Sequence, residues 1–108
     1  IKHYLLPSRT DLAIEHVIVN IQTKNGDISL IALYNPPNKK LTQTILNKLF
    51  QVNRNVIIVG DMNSKHVSWN CPVNNRSGIN LLEYALRYNI DILAPDEPTF
   101  YPSYARAR

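Results

Sequence analysis

A mixed α/β fold, α+β in the broader sense, is the class this sequence predicts. Three observations carry it: two β-rich runs joined by an Asn-Gly turn, a short wholly apolar run at Val56–Val59, and two stretches whose apolar residues recur at helical spacing.

Taken in order, Ile14–Gln22 (IEHVIVNIQ) is dense in β-branched residues, Lys24-Asn25-Gly26-Asp27 follows, and Ile28–Tyr34 (ISLIALY) supplies a second run of similar length. Asn-Gly between two such runs predicts a hairpin, because glycine accepts the positive φ of a tight turn. Asn35-Pro36-Pro37-Asn38 ends the second strand, since proline cannot donate to a sheet ladder. Leu41, Ile45, Leu46, Leu49 and Phe50 mark one amphipathic helix. Val56–Val59, bounded by polar residues, is expected as a strand covered on both faces. The polar stretch Gly60–Gly78 reads as a long loop, and loops of that length are usually functional. Leu81, Leu82, Ala85, Leu86 and Tyr88 predict a second helix stopped at Asn89. Ile90–Leu93 is expected as a last short strand, ahead of the Pro-rich segment Pro95–Pro102. The expected order is strand, strand, helix, strand, helix, strand.

Length and composition bound the function classes. A chain of 108 residues, 44% of them apolar, is one globular domain at most. Its 12 Lys and Arg against 8 Asp and Glu give a charge of +4, which is compatible with a polyanionic partner and equally with ordinary surface charge. Cys71 is the only cysteine, so no internal disulfide can form and a reducing compartment is expected. No run approaches the ~18–20 apolar residues of a membrane span, and the start Ile1-Lys2-His3-Tyr4 is not a signal peptide. Beginning without methionine and stopping at Ala105-Arg106-Ala107-Arg108, the chain reads as a piece of a longer polypeptide.

The sharpest chemical feature is Val56-Ile57-Ile58-Val59-Gly60-Asp61-Met62-Asn63. In an extended chain, residues two apart share a face, so Asp61 and Asn63 are expected side by side at a strand's carboxyl end, where α/β folds commonly bind ligands. A carboxylate there can hold Mg²⁺ or orient a water, and a neutral amide can bond a phosphate without adding repulsive charge. An Asx turn, with both side chains bonded to nearby backbone, accounts for the same residues.

Gly60-Asp61-Met62-Asn63-Ser64-Lys65-His66 followed by Trp69-Asn70 resembles the G-D-F-N-x-x-H-x-x-W signature of non-LTR retrotransposon endonucleases. These are apurinic-endonuclease-like members of the endonuclease/exonuclease/phosphatase superfamily. Leu33-Tyr34-Asn35-Pro36-Pro37 is similar to the Y-x-P-P motif that precedes it in that family. Gly78-Ile79-Asn80-Leu81-Leu82, Ile92-Leu93-Ala94-Pro95 and Pro98-Thr99-Phe100-Tyr101-Pro102 resemble its later blocks, in the same order. Together they span about Leu12 to Arg106.

The resemblance implies part of a four-layer α/β/β/α sandwich of the DNase I-like fold, with residues 1–108 lacking its amino- and carboxyl-terminal portions. It also implies metal-dependent hydrolysis of DNA, Mg²⁺ or Mn²⁺ as cofactor, a nick that primes a fused reverse transcriptase, and action in the nucleus. Asp61 would activate or position the attacking water, Asn63 would orient Asp61 and the scissile phosphate, and both would serve the metal. Tyr34 matches the family's active-site tyrosine, unless it is simply half-buried at a strand end. Thr99 matches a hydrogen-bonding threonine of the site or stabilises a turn. Lys65 and Arg76, with Lys39, Lys40, Arg106 and Arg108, are candidate DNA-phosphate contacts or members of a solvated face.

His66 is not taken as the general base, because the family's histidine belongs to a Ser-Asp-His block expected beyond Arg108. His66 and Trp69 are expected to pack the loop. The metal-binding glutamate should precede Ile1, and Glu15 is not promoted to that role. Met62 replaces the commoner phenylalanine, and Pro37 stands where some relatives carry asparagine. A catalytically inactive remnant or domesticated fragment, or another phosphoesterase of the superfamily, are the alternatives. With one sheet of two, a face on the order of 300 Å² would stay wet, forfeiting about 7 kcal/mol at ~25 cal/mol per Å². Against a net stability of about 5–15 kcal/mol, the chain alone is expected to be marginal or aggregation-prone, and inactive. Thermal unfolding and Mg²⁺-dependent nicking by the purified piece test this.

Overall fold

Asn-Gly does what its chemistry requires: β2 (Glu15–Thr23) and β3 (Gly26–Tyr34) form a hairpin with Thr23 opposite Gly26. Gly26 has a φ of 115°. The computed structural model describes residues 2–95; residue 1 and residues 96–108, with the Thr99 block, lie outside the described part. The chain forms two compact units, Ile1–Asn63 and Ser64–Arg108.

The first unit holds a four-stranded sheet in the order β1-β2-β3-β4, with β1 at Lys2–Leu6 and β4 at Val56–Asp61. β1 and β2 pair antiparallel, as do β2 and β3, whereas β3 and β4 are parallel. The parallel step needs a crossover, which contains α1 (Gln43–Phe50). Thr42 caps this helix, its hydroxyl accepting from the Ile45 N–H at 3.2 Å. Leu41 and Leu46, both buried, occupy the positions of a hydrophobic staple.

Alternation sorts the sheet into two faces. On one, Ile18, Ile31 and Leu33 are buried with Leu12 and Leu49, and Ile45, Val52, Val56 and Ile58 pack against them. On the other, Leu5, Val17, Ile57 and Val59 are all exposed. A polar cluster closes the hairpin end of the buried face: Ser29 donates to Asn20 Oδ1 at 2.9 Å, and Asn53 Nδ2 donates to Ser29 Oγ at 3.1 Å.

In the second unit, α2 runs Arg76–Tyr88 and ends at Asn89, which takes the left-handed conformation (φ 56°). Asn75 Oδ1 accepts from Gly78 N–H at 2.7 Å and from Lys65 N–H at 2.9 Å. One cap therefore starts the helix and staples the loop before it.

Four expectations need correction. The expected order starts at Ile14 and omits the strand at Lys2–Leu6, whose mostly exposed KHYLL has no alternation of its own and is ordered by pairing with β2. Ile90–Leu93 is not a strand, because the Ile90 N–H is turned back onto Ala85 O at 2.9 Å, closing the end of α2. Val56–Val59 is covered on one face alone, with Ile57 51% and Val59 45% exposed. Gly60–Gly78 is not structureless, since it contains a 3-10 turn at Val67–Trp69 and the first residues of α2.

Candidate functional site

Parallel pairing brings the ends of β3 and β4 to the same edge. Leu33 lies opposite Gly60, and Tyr34 opposite Asp61. Tyr34 and Asp61 are thus neighbours on the exposed face, about 4.8 Å apart across the strands. Glu15 pairs with Tyr34 from the other side, so Glu15, Tyr34 and Asp61 form one row across three strands. A shallow depression of about 580 Å³ opens beside Tyr34, lined in part by Glu15, Val17 and Ala32.

The expected side-by-side placement of Asp61 and Asn63 on an extended strand is not what forms. β4 stops at Asp61, and Asn63 has a φ of 45°, so alternation no longer governs its direction. The two are linked instead by a turn, in which the Asn63 N–H donates to Asp61 Oδ1 at 3.1 Å. Asn63 Nδ2 donates to the backbone oxygen of Asn35 at 2.8 Å, which fixes the plane of its amide. The Asx turn is what forms here, with the exposed Asp61 carboxylate accepting from the Asn63 N–H.

Asn35 is the residue that the sequence reading missed, having been taken only as a strand stop. It is 1% exposed. Its N–H donates to Asp61 O at 2.9 Å, and its side-chain Nδ2 donates to Lys39 O at 2.9 Å and to Met62 O at 3.3 Å. The available signal was a hydrogen-bonding residue between Tyr34 and Pro36-Pro37, at a strand exit where proline leaves few backbone donors.

Lys39 and Lys40 are exposed in the loop after Asn35, in the same unit as Tyr34, Asp61 and Asn63. Lys65 and Arg76 are exposed in the second unit. Thr99, Arg106 and Arg108 fall outside the described residues. His66 and Trp69 pack the loop as expected: His66 Nδ1 accepts from Ser68 N–H at 3.0 Å, Trp69 Nε1 donates to Ser64 O at 3.0 Å, and the ring centroids are 5.2 Å apart. Arg9, hydrogen-bonded to Asp11 at 2.8 Å, holds that exposed carboxyl below its ordinary range, and burial pushes the Tyr84 phenol up.

A hard cation such as Mg²⁺ takes oxygen donors and needs only one or two carboxylates, because it keeps several of its waters. The Asp61 carboxylate and the Asn63 amide are donors of that kind. Among the described residues no three His, Cys, Asp or Glu side chains gather where a metal ion could be held.

Residues 28–106 match the family model described as endonuclease-reverse transcriptase. The chain belongs to this family. It is 36% identical over 84 residues to the RNA-directed DNA polymerase from mobile element jockey of Drosophila funebris, a match that covers 77% of the chain and 9% of that protein. A probable RNA-directed DNA polymerase from transposon X-element of Drosophila melanogaster is 35% identical over 83 residues, again 9% of its length. Among solved structures, the endonuclease domain of TRAS1, a telomere-specific non-LTR retrotransposon, superposes with a TM-score of 0.70 and 26% identity. That match covers 92% of this chain and 47% of the solved domain. The chain thus has part of the DNase I-like α/β fold of non-LTR retrotransposon endonuclease domains, and spans about a tenth of its polymerase relatives and about half of the solved domain.

Proposed function

We propose that residues 1–108 are a partial endonuclease domain that supplies the Tyr34–Asp61–Asn63 portion of a metal-dependent site hydrolysing DNA phosphodiesters. The observation that carries this reading is the parallel register of β3 and β4, which sets Tyr34 beside Asp61 at the carboxyl edge of the sheet. In α/β folds, ligands commonly bind beyond the carboxyl ends of parallel strands, and β3 and β4 are such a pair.

The roles follow from what each side chain can do where it stands. Asp61, exposed and held by the Asn63 N–H, accepts a proton from an attacking water or orients that water toward phosphorus. Asn63, its amide fixed against Asn35, keeps Asp61 in place and presents a neutral group to the phosphate. Tyr34 places a phenol donor beside Asp61 at the ends of β3 and β4, within reach of a phosphate oxygen at that edge. Asp61 and Asn63 would together hold Mg²⁺ or Mn²⁺ through oxygen, and the ion when bound would offset charge on the phosphate and the leaving oxygen. Lys39, Lys40, Lys65 and Arg76 would grip the DNA backbone with little sequence preference.

In the longer polypeptide, the bare face of Leu5, Val17, Ile57 and Val59 would pack on a second sheet. The nick would leave a 3′-hydroxyl for a fused reverse transcriptase, in the nucleus.

The test is made on the endonuclease domain of that longer polypeptide. Supercoiled plasmid is expected to be nicked in Mg²⁺, with activity lost on chelation and restored by Mg²⁺ or Mn²⁺. Plasmid should also outcompete small phosphate esters. Preferential cleavage of the esters would instead place the protein with the superfamily's phosphatases.

A further inference from the structure

We propose that Asn35 is a positioning residue of the catalytic edge, an inference that rests on the endonuclease reading above. Nearly every polar group of this one buried residue reaches a segment that carries the site. Its N–H extends the β3–β4 ladder onto Asp61 O, its carbonyl accepts the Asn63 side chain, and its amide donates to Met62 O. The same amide also bonds Lys39 O, which ties down the loop bearing Lys39 and Lys40.

Sequence neighbours make this consequential. Tyr34 precedes Asn35 directly, and Met62 lies between Asp61 and Asn63. One planar amide facing two backbone carbonyls therefore couples the tyrosine on one strand to the aspartate and asparagine at the end of the other. Both carbonyls are acceptors, so the site demands a side chain with two N–H donors on a short stem. Serine offers one donor and is shorter, while aspartate would set an acceptor against two acceptors. A buried amide with both N–H donors bonded has little freedom to wander, because leaving a buried donor unpaired is costly. Asn35 touches no reacting atom; it acts through Tyr34, Asp61 and Asn63.

The experiment compares Asn35→Ser and Asn35→Asp with the parent endonuclease domain, using single-turnover nicking of plasmid DNA with enzyme in excess. That rate constant reports the geometry of folded molecules rather than their number. Misplacing a reacting group by about 1 Å can cost about 100-fold, so the rate constant is expected to fall by about 10- to 100-fold in Asn35→Ser and further in Asn35→Asp. KM should move by less than about threefold, and the cooperative thermal transition should persist. Rate constants within about twofold of the parent, or a rise in KM alone, would overturn the proposal. Loss of the folded state in both variants would assign Asn35 to the fold as a whole and overturn it too. The parent and Asp61→Ala serve as references. If the parent does not nick, or Asp61→Ala nicks equally well, the endonuclease reading fails and takes this inference with it. If both behave as expected while the Asn35 variants match the parent, this inference alone fails.

Discussion

Gly60→Ala is expected to unfold the sheet. Gly60 has a φ of 135°, a conformation that side-chain-bearing residues rarely adopt. A Cβ at this position would lie 2.0 Å from Leu33 O and 3.0 Å from Leu33 C and N. Those atoms belong to the backbone of β3, paired directly across from Gly60, so they cannot retreat without breaking the β3–β4 ladder. A strained backbone alone costs about 1–3 kcal/mol. With the clash added, a loss of at least about 4 kcal/mol is expected, a large fraction of the roughly 5–15 kcal/mol that holds an ordinary domain together. Gly26→Ala is the internal control. Gly26 also has a positive φ, 115°, but nothing stands within 4 Å of its Cβ position. Its replacement should therefore carry the backbone cost alone. Urea titrations of the two variants in the endonuclease domain check this, and equal losses would show that contact with Leu33 is not what matters at Gly60.

Asp61→Ala is expected to abolish nicking while leaving the fold in place. Its carboxylate is exposed and makes one turn hydrogen bond, to the Asn63 N–H, so stability should fall by only about 1 kcal/mol. A residue that activates the attacking water contributes about 10²–10⁴ in rate. On the proposed reading the same side chain also holds the metal, so the rate is expected to fall at least about 1,000-fold. Asp61→Asn separates charge from turn. It keeps an oxygen to accept from Asn63 N–H but can neither take a proton nor bind a cation strongly. Activity like the parent's in Asp61→Asn would remove Asp61 from the chemistry, whatever Asp61→Ala does.

Both predictions concern residues that stand out in the sequence, but for reasons that the sequence does not contain. Gly60 can be read there as the glycine before a motif; that it faces Leu33 O follows from the pairing of β4 with β3. Asp61 and Asn63 can be read as a pair, yet the extended-strand argument for their placement fails, because the chain turns at Asn63. Asn35 looked like a strand stop because its partners, Met62 and Asn63, are remote in sequence.

What the sequence determined by itself is whatever depends on near neighbours. The Asn25-Gly26 turn, the helical spacing from Leu41 to Phe50, and the stop at Asn89 all rest on contacts a few residues long. Motif order was legible too, and it placed the chain among retrotransposon endonucleases. Tertiary structure alone decided the rest. KHYLL became a strand because β2 offered it an edge, while Ile90–Leu93, with better strand composition, lost a backbone donor to the end of α2. The parallel register that sets Tyr34 beside Asp61 is likewise a long-range choice, fixed by the α1 crossover and the packing of Ile31, Leu33 and Leu49. Strand pairing and burial join residues distant in the chain, and no local preference encodes which of them will meet.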